Sequence, residues 1–301
     1  MIRTALAVCA GAILAGGRIA SAATLNVEAS PARPKQGDIV RVTVRASGPL
    51  SSAALSDGTR RIDLEAGADG RTFRALVGID FESAVGPRTL EIEARDASGS
   101  PIHASRRLEV VSGKFPTQKL KVDPAYVEPP EAELARIARD REEVTRVWAA
   151  PDAARLFGGP FRMPVTSDGP GRFGVRRVFN GKPRSSHDGV DLPAPQGAPV
   201  VAPAPARVAL AGDLYFSGGT VILDHGRGLF TTYFHLSAID VKTGEAVTTG
   251  QRVGSVGATG RATGPHLHWG AKLHRARVNP LDLLQLPAWP GAESIEQLKT
   301  D

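Results

Sequence analysis

Two short stretches of this 301-residue chain concentrate side chains able to hold a metal ion. His187-Asp188-Gly189-Val190-Asp191 sets an imidazole and a carboxylate four positions apart, and His266-Leu267-His268 sets two imidazoles two apart. A helix would align the first pair, but Gly189 and Pro193 oppose one. The stretch therefore reads as a loop ending at His187 and a strand entered at Asp191, with the two side chains converging. In a strand, residues i and i+2 share a face, so His266 and His268 project into one volume. Imidazole nitrogen and carboxylate oxygen suit Zn²⁺, and three protein ligands leave a fourth position for water. That arrangement is the one used for metal-assisted hydrolysis. Either spacing alone is common on ordinary strands; their combination in one glycine-rich segment is what points to a site.

The elements that must position these residues differ along the chain. Residues 157–284 hold most of the 33 glycines and several strand-like runs: 199–202, 207–210, 220–224, 229–234 and 266–273. Glycines between such runs supply tight turns and left-handed backbone, as a compact sheet domain, sandwiched or partly open as a barrel, requires. Residues 25–111 instead show short alternating segments such as Ile39-Val40-Arg41-Val42-Thr43-Val44, separated by turn clusters such as Ser56-Asp57-Gly58. That pattern predicts an antiparallel, immunoglobulin-like β-sandwich. Between them, Pro116, Pro124, Pro129 and Pro130 stiffen a connector, and Leu134, Ile137, Arg141, Val144 and Trp148 recur at helical steps from Glu131 to about Val147. The expected fold is mainly β. The expected organisation is a signal peptide over 1–22, a sandwich over 23–112, a linker and helix over 113–150, the metal-bearing sheet domain over 151–287, and a tail over 288–301.

Composition narrows the function. A single cysteine excludes a disulfide framework and any multi-cysteine metal or iron–sulfur site, so a metal here is held by His and carboxylate. That cysteine, Cys9, falls within a basic-then-apolar start closed by Ala20-Ser21-Ala22, the pattern of a cleaved secretory signal too short to span a bilayer. Export is expected, to a periplasmic or an extracellular, cell-wall-associated location, with no stable membrane insertion afterwards. Loss of Arg3 and Arg18 with the signal would lower the net charge of +6 to +4, which suits an anionic polymer and is too modest to argue for nucleic acid.

The site-bearing region also resembles a known family. Arg172-Phe173-Gly174-Val175-Arg176-Arg177 through Ser186-His187-Asp188-Gly189-Val190-Asp191-Leu192 is similar to the opening of lysostaphin- and LytM-type zinc metallopeptidases. Asp224-His225-Gly226-Arg227-Gly228-Leu229 with Tyr233-Phe234-His235-Leu236-Ser237 resembles their central hairpin. Gly257-Ala258-Thr259-Gly260 through His266-Leu267-His268-Trp269 resembles their closing signature. The resemblance implies that His187, Asp191 and His268 hold one Zn²⁺ and that His235 and His266 are the catalytic histidines. It implies hydrolysis of peptidoglycan stem or cross-bridge peptides. No His-Glu-x-x-His motif is present to supply a glutamate base, so a histidine must serve. His266 is the candidate to orient or deprotonate water, and His235 to stabilise the oxyanion or supply the leaving amine with a proton.

Three alternatives accompany this reading. Some proteins of this type lack catalysis and activate wall amidases instead, for which the sandwich would be a partner surface. His266-Leu267-His268-Trp269-Gly270 also resembles the zinc strand of α-type carbonic anhydrases, but the third histidine those enzymes need downstream is missing. The sandwich itself is expected to act as a spacer, a binding module or a lid over the groove. His225 is expected to be structural, His274 solvated, Tyr233 core, and Arg172, Arg177, Arg184 and Arg261 surface charges able to meet substrate carboxylates.

Overall fold

The computed structural model describes residues 23–183, 186–289 and 291. The expected signal peptide and Arg184 lie outside them. Among the described residues the chain is mainly β, with one α-helix and several open, mostly antiparallel sheets.

In the first half, alternation decides the faces. Val40, Val42 and Val44 are buried while Arg41 and Arg45 face water; Leu90, Ile92 and Ala94 are buried while Glu91 is exposed. Four strands (Leu25–Ser30, Ile39–Ala46, Thr72–Gly78 and Glu65–Ala66) form one sheet. Four more (Arg61–Asp63, Leu50–Ser56, Gly86–Asp96 and Pro101–Val110) form a second. Their apolar faces share one core that includes Val40, Val77, Leu55, Leu90, Ile92 and Leu108. His103 stays exposed on the outermost strand.

The connector is more than a linker. Thr117–Leu120 pairs in parallel with Arg176–Phe179, which then turns back into Lys182–Pro183. The turn is Asn180-Gly181, both left-handed at φ 50° and 83°, the pair that a two-residue hairpin favours.

The second half is built on a seven-stranded antiparallel sheet. Its order is Gly189–Pro193, His266–Leu273, Leu229–Leu236, Gly218–Asp224, Ala206–Leu214 and Ala246–Val247, with Ala276–Val278 also paired to His266–Leu273. One face is core: Val190, Leu192, Leu267, Trp269, Ala271, Leu273, Tyr233, Val221 and Leu223 pack together. The opposite face does two jobs. Toward the Ala206–Leu214 side, Leu210, Leu214, Ile222 and Phe230 receive Val144, Val147 and Trp148 of helix α1 (Glu131–Ala149). Toward the Gly189–Pro193 side, the same face presents the candidate site.

Helix α1 carries Glu131 and Glu133 in its first turn and Arg146 in its last, the charge order the helix dipole favours. Ile137 in its second turn is buried, and its last turns dock on the sheet. Trp148 meets Phe230 edge-on at 5.1 Å, whereas Leu134, expected in the apolar stripe, is 52% exposed. Two polar ties fix the helix lengthwise: Arg136 pairs with Asp213 at 2.7 Å, and Asp140 accepts from the Tyr215 backbone N–H at 2.7 Å.

The two halves meet through Phe81, Phe115 and Phe173, stacked edge to face at 5.7–6.1 Å. Arg277 joins them further, donating to Asp80 and Glu82. At this junction Asp282 faces Asp38 and Lys35. Burial, then the Asp38 charge, pushes the Asp282 carboxyl up to about 6, and burial also raises Asp38. A carboxyl whose folded pKa lies above its unfolded value adds stability below about pH 4 and loses it as pH rises through 6. Asp282→Asn is therefore expected to flatten the stability profile between pH 4 and 6.5. It should raise stability at pH 7.5 by about 1–2 kcal/mol, the shift being discounted for partial exposure. Thermal unfolding at stepped pH measures this, and a variant less stable than the parent at pH 7.5 would refute it.

Candidate active site

Strand register brings the chemistry-bearing residues together. Asp191 lies directly opposite His268, with Val190 opposite Trp269 and Leu192 opposite Leu267. Leu267 and Trp269 enter the core, so period-two alternation turns His266 and His268 to the other face. His187 reaches the same point from the loop before Gly189. Its Nε2 lies 2.8 Å from His268 Nδ1 and 2.9 Å from Asp191 Oδ1, and His268 Nδ1 lies 3.1 Å from that same oxygen. His187 is 5% and His268 4% exposed. Glycine is required beside them: a Cβ at Gly189 would stand 2.5 Å from the Trp269 carbonyl oxygen and 2.6 Å from His268 Nε2.

Three atoms in this triangle are all lone-pair donors. One proton can bridge one edge, whereas a single cation at the centre satisfies all three atoms at once. Around Zn²⁺ with bonds of about 2.0–2.2 Å, tetrahedral ligand atoms stand about 3.3 Å apart, a few tenths of an ångström beyond the distances seen. The donor set, two imidazoles and one carboxylate without thiolate, fits zinc. Burial pushes the His187 imidazole down to about 4 despite its bond with Asp191, which keeps it a neutral ligand. Burial acts to raise Asp191, but the hydrogen bonds and charges of His187 and His268 outweigh it and hold the carboxyl far below the usual range.

Two further histidines stand beside the triangle. The His235 ring lies 4.9 Å from the His266 ring and 6.2 Å from that of His268. His266 Nε2 is 3.5 Å from Asp191 Oδ1. Each ring has its Nδ1 2.8 Å from a backbone carbonyl, Thr259 for His235 and Gly264 for His266. A carbonyl only accepts, so Nδ1 carries a hydrogen in both rings, and Nε2 holds the lone pair in the neutral form of each. Burial, reinforced by His268 and His266, pushes His235 down to about 3, so it is neutral near pH 7. A neutral His235 in this tautomer accepts protons at Nε2; it donates there only after taking one.

His235 is aimed by a bulge. The register steps from Val221 opposite Tyr233 to Gly219 opposite Leu236, so Phe234 and His235 together face the single residue Thr220. His235 adopts φ 65°, a left-handed conformation rare outside glycine and a form of strain found at functional positions.

Several neighbours escape sequence patterns. Phe234 lies parallel to His268, rings 5.0 Å apart at 3°, and fixes its plane. Arg177 donates to Asp191 Oδ2 at 2.5 Å, so it braces that carboxylate at the wall of the groove. Arg261 lies between Phe179 and Phe216 at 4.9 and 5.1 Å. A groove of about 510 Å³ runs past His187, His235 and His268, and Ile137, Arg141 and Val144 of α1 wall it. No local pattern signals these roles, since each depends on packing between distant segments. Among the other candidates, His225 is fully buried, its ring nitrogens 2.8 Å from the Pro205 carbonyl and from Thr231 Oγ1. Tyr233 is core. His274 is half-buried against Gly228, where burial lowers it to about 4, and is not solvated as expected.

Known proteins match this architecture. Residues 185–280 match peptidase family M23. A crystal structure of an M23-type peptidase from Pseudomonas aeruginosa superposes with a TM-score of 0.59 at 30% identity, over 84% of this chain and 95% of that one. The DD-carboxypeptidase/endopeptidase Mpg of Neisseria meningitidis is 42% identical over 97 residues, which are 32% of this chain and 22% of that protein. The peptidoglycan DD-endopeptidase ShyA of Vibrio cholerae is 40% identical over 95 residues, again 32% and 22%. The match thus spans about a fifth of the length of these two relatives. With a family match that includes His187, Asp191, His235, His266 and His268, and a structural likeness extending over most of the chain, this protein belongs to peptidase family M23.

Proposed function

We propose that the chain is an exported zinc endopeptidase cutting peptide bonds of bacterial peptidoglycan. The observation that carries this reading is the convergence of His187 Nε2, Asp191 Oδ1 and His268 Nδ1 beside two histidines with bare Nε2 atoms. His187, Asp191 and His268 would hold the metal, which when bound lowers the pKa of a coordinated water toward 7 and polarises a peptide carbonyl. The remaining chemistry falls to side chains. His266 Nε2 takes the proton of the attacking water, its ring oriented by the Nδ1–H bond to the Gly264 carbonyl. His235, neutral and held by Thr259, accepts a proton at Nε2 before it can hydrogen-bond an oxyanion or return that proton to the leaving amine. Arg177 keeps the Asp191 carboxylate ionised and turned inward. Helix α1 narrows one side of the groove and excludes water from it.

Relatives named as peptidoglycan DD-endopeptidases support the substrate class, and no helix among the described residues is long and apolar enough to cross a membrane. We assign the N-terminal immunoglobulin-like sandwich the role of spacer, since no described residue of the sandwich lines the groove and its contacts with the peptidase region run through residues such as Arg155, Arg227, Arg277 and the Phe81 cluster. The mature chain should release fragments from cross-linked muropeptides, identified by mass spectrometry, and zinc chelation should stop release. Intact muropeptides with zinc-loaded protein, together with stimulation of a separate amidase, would replace hydrolysis with the regulatory reading.

A further inference from the structure

A neutral imidazole has one N–H. If His268 offers the Nδ1 lone pair to a metal, its hydrogen must sit on Nε2, and a ligating histidine ordinarily donates that outer N–H to a carboxylate, carbonyl or water. The His235 and His266 rings anchor their far nitrogens on carbonyls. His268 does not: its Nε2 is buried and has no hydrogen-bond partner. Unpartnered buried donors are rare enough to require a reason.

The side chain facing it is Asp188, whose Oδ1 is 3.8 Å from His268 Nε2. That is too long for a hydrogen bond, but the two sides differ in freedom. The His268 ring is clamped parallel to Phe234, whereas the Asp188 side chain is 48% exposed and sits in the loop joining His187 to the Gly189–Pro193 strand. Gly189, next along, leaves the space around Nε2 open, since a Cβ there would come within 2.6 Å of it. The carboxylate is the mobile partner, and a small rotation closes the gap.

We propose that Asp188 is a positioning residue: its carboxylate accepts the Nε2–H of His268 and so holds that ring in the tautomer that turns the Nδ1 lone pair toward the metal. This rests on the zinc-site reading above. The test is zinc affinity of the full mature chain, measured by competition with a chromogenic chelator. Asp188→Ala should bind zinc about 10–100-fold more weakly, and Asp188→Glu should recover part of the loss. Nitrogen-15 spectra of zinc-loaded parent should report a protonated Nε2 on His268. Unchanged affinity in Asp188→Ala overturns the proposal. So does a loss in Thr232→Val with none in Asp188→Ala, since Thr232 lies opposite Gly270 on the next strand and a Cβ at Gly270 would meet both its hydroxyl and His268 Nε2. His268→Ala separates the two levels: if it keeps stoichiometric zinc, the site reading itself falls; if it loses zinc while Asp188→Ala keeps parent affinity, only this inference falls.

Discussion

His268→Ala is expected to bind no stoichiometric zinc and to hydrolyse peptidoglycan at background rate. The substitution removes one corner of a triangle whose edges are 2.8, 2.9 and 3.1 Å, leaving His187 and Asp191 as the only ligands. Two protein ligands do not make the closed or nearly closed coordination that zinc sites use. It also removes the ring that Phe234 stacks upon and the imidazole facing the Asp191 carboxylate, so some loss of stability accompanies loss of metal. A second readout separates these effects. A ligand present at 100 times its Kd stabilises the folded state by about 2.7 kcal/mol. The parent should therefore melt several degrees higher in zinc than in chelator, and His268→Ala should melt at the same temperature in both. Asp191→Ala should behave alike, with Arg177 left without its carboxylate. Full zinc content by elemental analysis in either variant would show that the ligand set is wrong.

Variants of the two flanking histidines should produce the opposite pattern, zinc retained and hydrolysis lost. His266→Ala removes a proton acceptor 3.5 Å from Asp191 Oδ1 without touching the triangle, and a positioned acid–base group contributes typically about 10²–10⁴-fold to rate. For His235 the informative variant is asparagine, which tolerates the left-handed backbone at φ 65° better than alanine does. The bulge at Phe234 and His235 should then persist, so a drop of similar size reports the missing imidazole and not a rearranged strand. A His235→Asn or His266→Ala enzyme cutting muropeptides at the parent rate excludes that histidine from the reaction. Because burial keeps His235 neutral, its loss should lower kcat more than it raises KM if, as proposed, it exchanges a proton during the reaction and adds no charge to substrate binding.

Much of this architecture is local in origin and was legible without coordinates. Alternation in Ile39–Ala46 and in His266–Leu273 dictates which side chains enter a core, because successive strand residues point to opposite faces. It therefore puts His266 and His268 on one face whatever the rest of the chain does. Helix α1 is likewise announced by its spacing and charge order, although its exposed Leu134 marks where the apolar stripe outruns its partner surface. The lone cysteine limited any metal donors to imidazole and carboxylate before any geometry was known.

What only the tertiary structure decided is how these faces meet. Alternation cannot choose between His266 and His268. The choice comes from cross-strand register, which sets His268 opposite Asp191 and His266 opposite Pro193. Nor does any local rule send α1, more than forty residues upstream of Asp191, to the wall of the groove, bring Arg177 onto the Asp191 carboxylate, or lay Phe234 flat on His268. These contacts join segments far apart in the chain, and their energies come from packing and desolvation that exist only once the sheet has formed. Residue type and spacing determined the available chemistry. Register, one bulge and a docked helix determined where each atom of it points.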